Sequence, residues 1–105
     1  MYKVEKMANK YGGDESWRHT LRDDITGEIK PMLVKIRLIK DADIIELHNV
    51  TSIIISVDDE IGWTTYTYIS EIDQKIKTFR AVDYEWWTIT ADCNDNKSYS
   101  DGNIK

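Results

Sequence analysis

The stretch Met32-Leu33-Val34-Lys35-Ile36-Arg37-Leu38 decides how the chain is read. Met32, Val34, Ile36 and Leu38 fall on one side of an extended backbone and Lys35 and Arg37 on the other, the period-2 alternation of a half-buried β-strand. Pro31 has no N–H to give to a ladder and marks where the strand begins. Downstream, Asp41-Ala42-Asp43 turns the chain into Ile44 to His48, where Ile45 and Leu47 point inward. Asn49-Val50 turns it again into Thr51 to Val57, with Ile53, Ile55 and Val57 on one face and Ile54 on the other. Asp58 to Gly62 leads to Trp63 to Ser70, Glu71 to Gln74 to Lys75 to Arg80, and Ala81-Val82-Asp83 to Tyr84 to Ala91. Six short strands with short connections read as an antiparallel meander.

Upstream, Tyr2 to Ala8 reads as a first strand, followed by the turn-rich Asn9 to Asp14, in which Gly12 and Gly13 permit positive φ. From Ser16 to Arg22, the residues Trp17, His19 and Leu21 alternate with Arg18, Thr20 and Arg22. Residues 16–25 admit a second reading, a short helix capped by Asp14, because Trp17, Leu21 and Ile25 are spaced by four. The strand is preferred because Asp23 to Glu28 makes a good hairpin connection, with Gly27 available for a left-handed bulge position. Sustained helical periodicity is missing elsewhere, so no helix is at hand to cover an apolar sheet face. The expected fold is all-β, an antiparallel meander of six to eight short strands curled into a small barrel or roll, or packed on a second copy as a homodimer. The 105 residues form a single domain, with a hairpin region at 1–31, the main meander at 32–91 and a polar, mobile tail at 92–105.

Composition narrows the function. A net charge of -5, from 19 acids against 14 bases, opposes nonspecific attraction to nucleic acid or anionic lipid, so neither is expected as a direct partner. Hydrophobic residues at 41% exclude wholesale disorder. The single cysteine, Cys93, has no internal disulfide partner, and Met1 to Met7 contains no apolar signal region, which together suggest a cytoplasmic protein. His19, His48 and Cys93 are not spaced like metal ligands, and Gly12-Gly13 belongs to no phosphate-cradling pattern. Asp92-Cys93-Asn94-Asp95-Asn96 lacks the central glycine and terminal glutamate of a calcium loop. No catalytic residue, metal or cofactor is therefore expected, and the chain reads as a binding protein rather than an enzyme.

The charge is unevenly spread. Residues 1–31 balance six acids against six bases, whereas Asp41 to Gln74 holds eight acids and no Lys or Arg. Acids are ordinary turn residues and discourage edge-to-edge aggregation, which is the plain explanation. Successive turns of a meander alternate between its ends, however, which would gather Asp41, Asp43, Asp58, Asp59, Glu60 and Asp83 at one end. Such a concentrated negative surface attracts a basic partner. Aromatic residues cluster too, seven of eleven lying between Trp63 and Trp87. Alternation sets Trp63 opposite Tyr66 and Tyr68, and Trp87 opposite Tyr84 and Trp86, so the sheet is bulky on both faces. One face is core; Tyr66, Tyr68, Trp86 and Trp87 are the aromatic contact candidates.

The runs Val34 to Lys40, Ile45 to Ile53, Lys75 to Phe79 and Tyr84-Glu85-Trp86 resemble the small, acidic, strand-rich proteins encoded by phages and prophages of low-GC Gram-positive bacteria, and the fifteen isoleucines are in keeping with an AT-rich genome. The resemblance implies a mobile-element protein, in a group that includes anti-CRISPR and other anti-defence inhibitors, some of them nucleic-acid mimics. The expected function is a non-catalytic inhibitor in the bacterial host cytoplasm. It would block a host protein with a basic nucleic-acid-binding surface, such as a CRISPR effector nuclease. Two other readings stand beside it: a nucleotide or other small-molecule sponge using an aromatic pocket, and a structural phage assembly protein.

Overall fold

The computed structural model describes residues 1–7, 15–39, 44–58, 62–82, 84–91 and 98–100. Among these the chain is all-β and antiparallel: β1 (Tyr2–Lys6), β2 (Glu15–Leu21), β3 (Met32–Leu38), β4 (Ile44–Asp58), β5 (Trp63–Ser70), β6 (Ile76–Val82), β7 (Tyr84–Ala91) and β8 (Ser98–Ser100). β3 keeps its alternation in full, with Met32, Val34, Ile36 and Leu38 buried and the residues between them half-buried. It lies between β4 and β7, so both of its edges are hydrogen-bonded. Residues 15–21 are strand, which decides between the two readings of that region. Within the polar stretch expected to be a mobile tail, residues 98–100 pair with β7.

The main departure from the expected meander is β4. Asn49-Val50 does not turn the chain back; β4 runs through it for 15 residues. Asn49 takes φ 54, the left-handed region that asparagine tolerates better than most residues. The register slips on both sides of Val50, against β3 between Met32 and Val34 and against β5 between Val50 and Ser52. Extra residues on one strand of a pair bend it and raise its twist. β4 is therefore bent, and the sheet curls with it into a half-barrel.

The bend sets the strand order. The first half of β4 pairs with β3, and the second half has β2 on one side and β5 on the other. Strands β2 and β3 thus lie end to end along one edge of β4 and do not pair with each other. The expected hairpin at Asp23 to Glu28 exists as a projection between them, pinched by the Arg22–Ile29 bridge and by the Lys30 N–H donating to the Leu21 carbonyl at 2.8 Å. Asp23 Oδ1 accepts from the N–H groups of Ile25 and Thr26, and Gly27 takes φ 74, which needs no side chain. β3, β4, β5 and β6 follow one another as neighbours, but β7 then returns to β3 instead of continuing beyond β6. Residue 83 alone separates β6 from β7.

The concave side of this curl is the core. Met32, Val34, Ile36, Val50, Ile53, Tyr66 and Ile89 are fully buried. His19 lies among them, its ring edge-on to Trp87 at 4.8 Å and its Nδ1 hydrogen-bonded to the Tyr2 hydroxyl at 2.5 Å. Burial lowers its pKa from 6.5 to about 4. On the convex side the Ser16 and Ser56 hydroxyls satisfy each other at 2.6 Å, so two buried polar groups join β2 to β4.

Two outcomes follow from the bend and the buried ring. Asn49→Gly, which accepts positive φ freely, should leave the urea midpoint near that of the parent, whereas Asn49→Val should cost about 1–2 kcal/mol. For His19, the unfolded chain takes up a proton below pH 6.5 and the folded chain only below about 4. Its contribution is complete above the upper value and lost as the pH falls between the two, by up to about 3 kcal/mol. Thermal midpoints measured across that window should fall more steeply for the parent than for His19→Phe.

Candidate functional site

The acidic connections are best located through the strands that flank them. Asp58 pairs with Trp63, and Trp63 pairs in turn with Val82, so the end of β4, the start of β5 and the end of β6 form one row. Tyr84 pairs with Leu38 at the end of β3, and Arg37 beside it pairs with Ile44 at the start of β4. Val82 and Tyr84 are two residues apart and so within about 7 Å of each other. The strand ends that border residues 40–43, 59–61 and 83 therefore follow one another, neighbour to neighbour, around one corner of the half-barrel.

This succession does not arise from the alternation of turns that was expected. With β4 unbroken, that alternation sends the connection before β4 and the one after it to opposite ends of the strand. The step from β6 to β7, and the return of β7 to β3, link the flanking strand ends instead. Asp41, Asp43, Asp59, Glu60 and Asp83 lie outside the described residues; Asp58 is the described member of the acidic set, half-buried at the corner's edge.

The described surface around the corner includes four exposed apolar side chains. Ile39, Ile44, Trp63 and Val82 are each between 41% and 45% exposed. Trp63 and Val82 face each other across β5 and β6 on the convex side, and Ile44 sits across from Arg37. Arg37 Nε donates to Glu85 Oε2 at 3.2 Å, and Lys35 Nζ lies 3.9 Å from Glu46 Oε1. The bases on this side of β3 thus each face a carboxylate, which leaves little net positive charge to offset acids nearby.

The aromatic candidates divide. Tyr66 is fully buried and stacked on Phe79 at 4.8 Å, and Trp87 is buried against His19, so both serve the core. Tyr68 is half-buried, edge-on to Phe79 at 6.2 Å. Trp86 is half-buried on the convex face, cross-strand from Arg37. A register shift between Arg37 and Leu38 leaves Glu85 as an extra residue in β7, and alternation restarts across it. Tyr84 and Trp87 consequently share the core side, and Trp86 points away from both. Trp63 is the exposed aromatic residue among those the contact candidates left out. Its position out of phase with Tyr66 and Tyr68 was the available signal.

Among the described residues no group of three or more His, Cys, Asp or Glu is placed to hold a metal ion. No helix among them is long and apolar enough to cross a membrane. No protein-family model, curated protein or solved structure matches the chain.

The division between surface and core aromatics is open to a direct comparison. Trp63→Ala should lower unfolding free energy by less than about 1 kcal/mol, whereas Trp87→Ala should cost about 3–5 kcal/mol. Equal losses in denaturant titrations would show that the two tryptophans are not placed as described.

Proposed function

We propose that the chain is a non-catalytic binding protein that occupies the basic surface of a nucleic-acid-binding partner through its acidic corner. In this reading Asp41, Asp43, Asp58, Asp59, Glu60 and Asp83 supply the field, and Trp63, Val82 and Ile44 supply the apolar contact that a charged rim surrounds. The observation that carries it is the register: Asp58 with Trp63, Trp63 with Val82, and Leu38 with Tyr84. Those pairs border every acidic connection concerned. The absence of Lys and Arg from Asp41 to Gln74 adds to it.

Long-range attraction chiefly raises the association rate, and desolvated aromatic contact slows dissociation. An acidic corner with a tryptophan beside it has both elements. A host nucleic-acid-handling complex such as a CRISPR effector nuclease is the partner class that fits, in keeping with the resemblance to small, acidic phage- and prophage-encoded proteins, a group that includes anti-defence inhibitors. The small-molecule reading draws less support, because Tyr66 and Trp87, two of the four aromatic contact candidates, fill the core.

The test is capture from bacterial cytosol in parallel with the parent chain and with a variant in which Asp41, Asp43, Asp58 and Asp59 become Asn and Glu60 becomes Gln. The parent should retain a basic protein at low salt, release it at high salt and compete with that protein's nucleic acid; the variant should lose at least about tenfold in affinity. Retention that is indifferent to salt and to the five replacements would refute the reading.

A further inference from the structure

Among the described residues β1 is hydrogen-bonded to β2 alone and stands at one end of the strand path. An edge of this kind presents backbone donors and acceptors that a further strand can take up. β6, the strand at the far side of the same half of the sheet, carries Lys77 and Arg80 and no acid, a pattern that keeps a like strand away. β1 differs, for its sequence is Tyr2-Lys3-Val4-Glu5-Lys6, with opposite charges two residues apart on one face.

Two copies of one strand can pair antiparallel about a two-fold axis in few ways. Facing residues must lie on the same side of the joined sheet, so the axis passes at a residue and not between two. An axis at Lys3 sets lysine against lysine, and an axis at Glu5 sets glutamate against glutamate. With the axis at Val4, Lys3 faces the second copy's Glu5, Tyr2 faces the second copy's Lys6, and Val4 meets itself. Of the three registers this alone brings no like charges together.

The surroundings of β1 fit that register. Val4 lies cross-strand from buried His19 yet is 42% exposed, and its own copy would cover it. The Lys3 and Glu5 side chains are 3.9 Å apart within the chain and about half exposed, so both remain open to a closer partner. Glu5 is cross-strand from Arg18, whose Nε is buried with no hydrogen-bond partner among the described residues. Joining the copies places Glu5 between Arg18 and the second copy's Lys3. Lys6 Nζ stands 6.0 Å from the Trp17 ring centre, and the second copy's Tyr2 closes its other side.

We propose that the chain forms a symmetric dimer in which two β1 strands pair antiparallel about Val4, continuing the sheet from one copy into the other. This does not depend on the acidic corner. Sedimentation over a concentration series, with the parent, Lys3→Glu and Glu5→Lys, tests it. The parent should dimerise, and each single variant should associate at least about tenfold more weakly, because two facing pairs become like-charged. An equimolar mixture of the two variants should recover association, since every glutamate of one then faces a lysine of the other. Amide exchange in β1 of the unaltered chain should slow as concentration rises, a readout that needs no substitution. A parent that stays monomeric throughout, a dimer that either variant leaves intact, or a mixture that does not recover would overturn the proposal.

Discussion

The bend of β4 at Asn49 is the constraint on which the remaining structure depends. Because the strand changes direction there, its two halves serve different neighbours, and the residues that point inward from both converge on a single interior. Ile45 and Leu47 line it from the first half, Ile53 and Ile55 from the second, and Val50 lies at the inside of the bend, fully buried. A chain with no helix to lay over its sheet must cover one part of the sheet with another. The cost is a non-glycine residue at positive φ, together with local disruption of the ladders on either side. That cost is offset by burial of several large aliphatic and aromatic side chains, each of the order of 1.5–3 kcal/mol.

The interior so formed is not purely aliphatic. Tyr2, His19 and Trp87 come from β1, β2 and β7, strands that are not all neighbours, and they meet across the core. A neutral imidazole suits this place because one ring nitrogen is hydrogen-bonded by the Tyr2 hydroxyl while the ring itself packs as an aromatic. Through His19, which packs edge-on to Trp87 of β7, the N-terminal strand is thereby linked to a strand it does not pair with. An acid-titrating group is thus built into the packing, whereas Glu5, Glu46, Asp58 and Glu85 stay on exposed or half-buried positions of their strands.

What could be read from the chain was its local periodicity, and what could not was which strands would pair. The alternation in β3, and in β7 from Trp86 onward, carries directly into burial because each of these strands has one face inward and one outward. Asn49-Val50 misled for a physical reason, since asparagine serves equally well in a hairpin turn and in a left-handed kink within a continuing strand. The extra residue at Glu85 had the same effect on a smaller scale, moving Tyr84 to the side of Trp87. The return of β7 to β3 leaves no mark in periodicity at all, because alternation says which face a residue takes and nothing about its neighbour. The acidic turns were legible as composition. The order in which the strand ends flanking them follow one another comes from pairings that composition does not encode.

The corner proposed as a binding surface and the β1 edge lie apart on the same sheet, and their separation governs how they would act together. From β1 across β2 and β4 to β5 is three strand spacings, about 14 Å, and Trp63 sits at the strand end rather than at the middle where Val4 lies. A dimer joined through β1 therefore leaves Asp58, Trp63 and Val82 uncovered in both copies and presents two such corners related by the two-fold axis. Against a partner with a single basic patch this geometry adds little, since only one corner engages at a time. Against a repetitive or elongated basic surface, the second contact becomes intramolecular once the first has formed, and its strength is then set by spacing as much as by charge. A weak corner on a monomer and a strong one on a dimer are thus compatible descriptions of the same acidic residues.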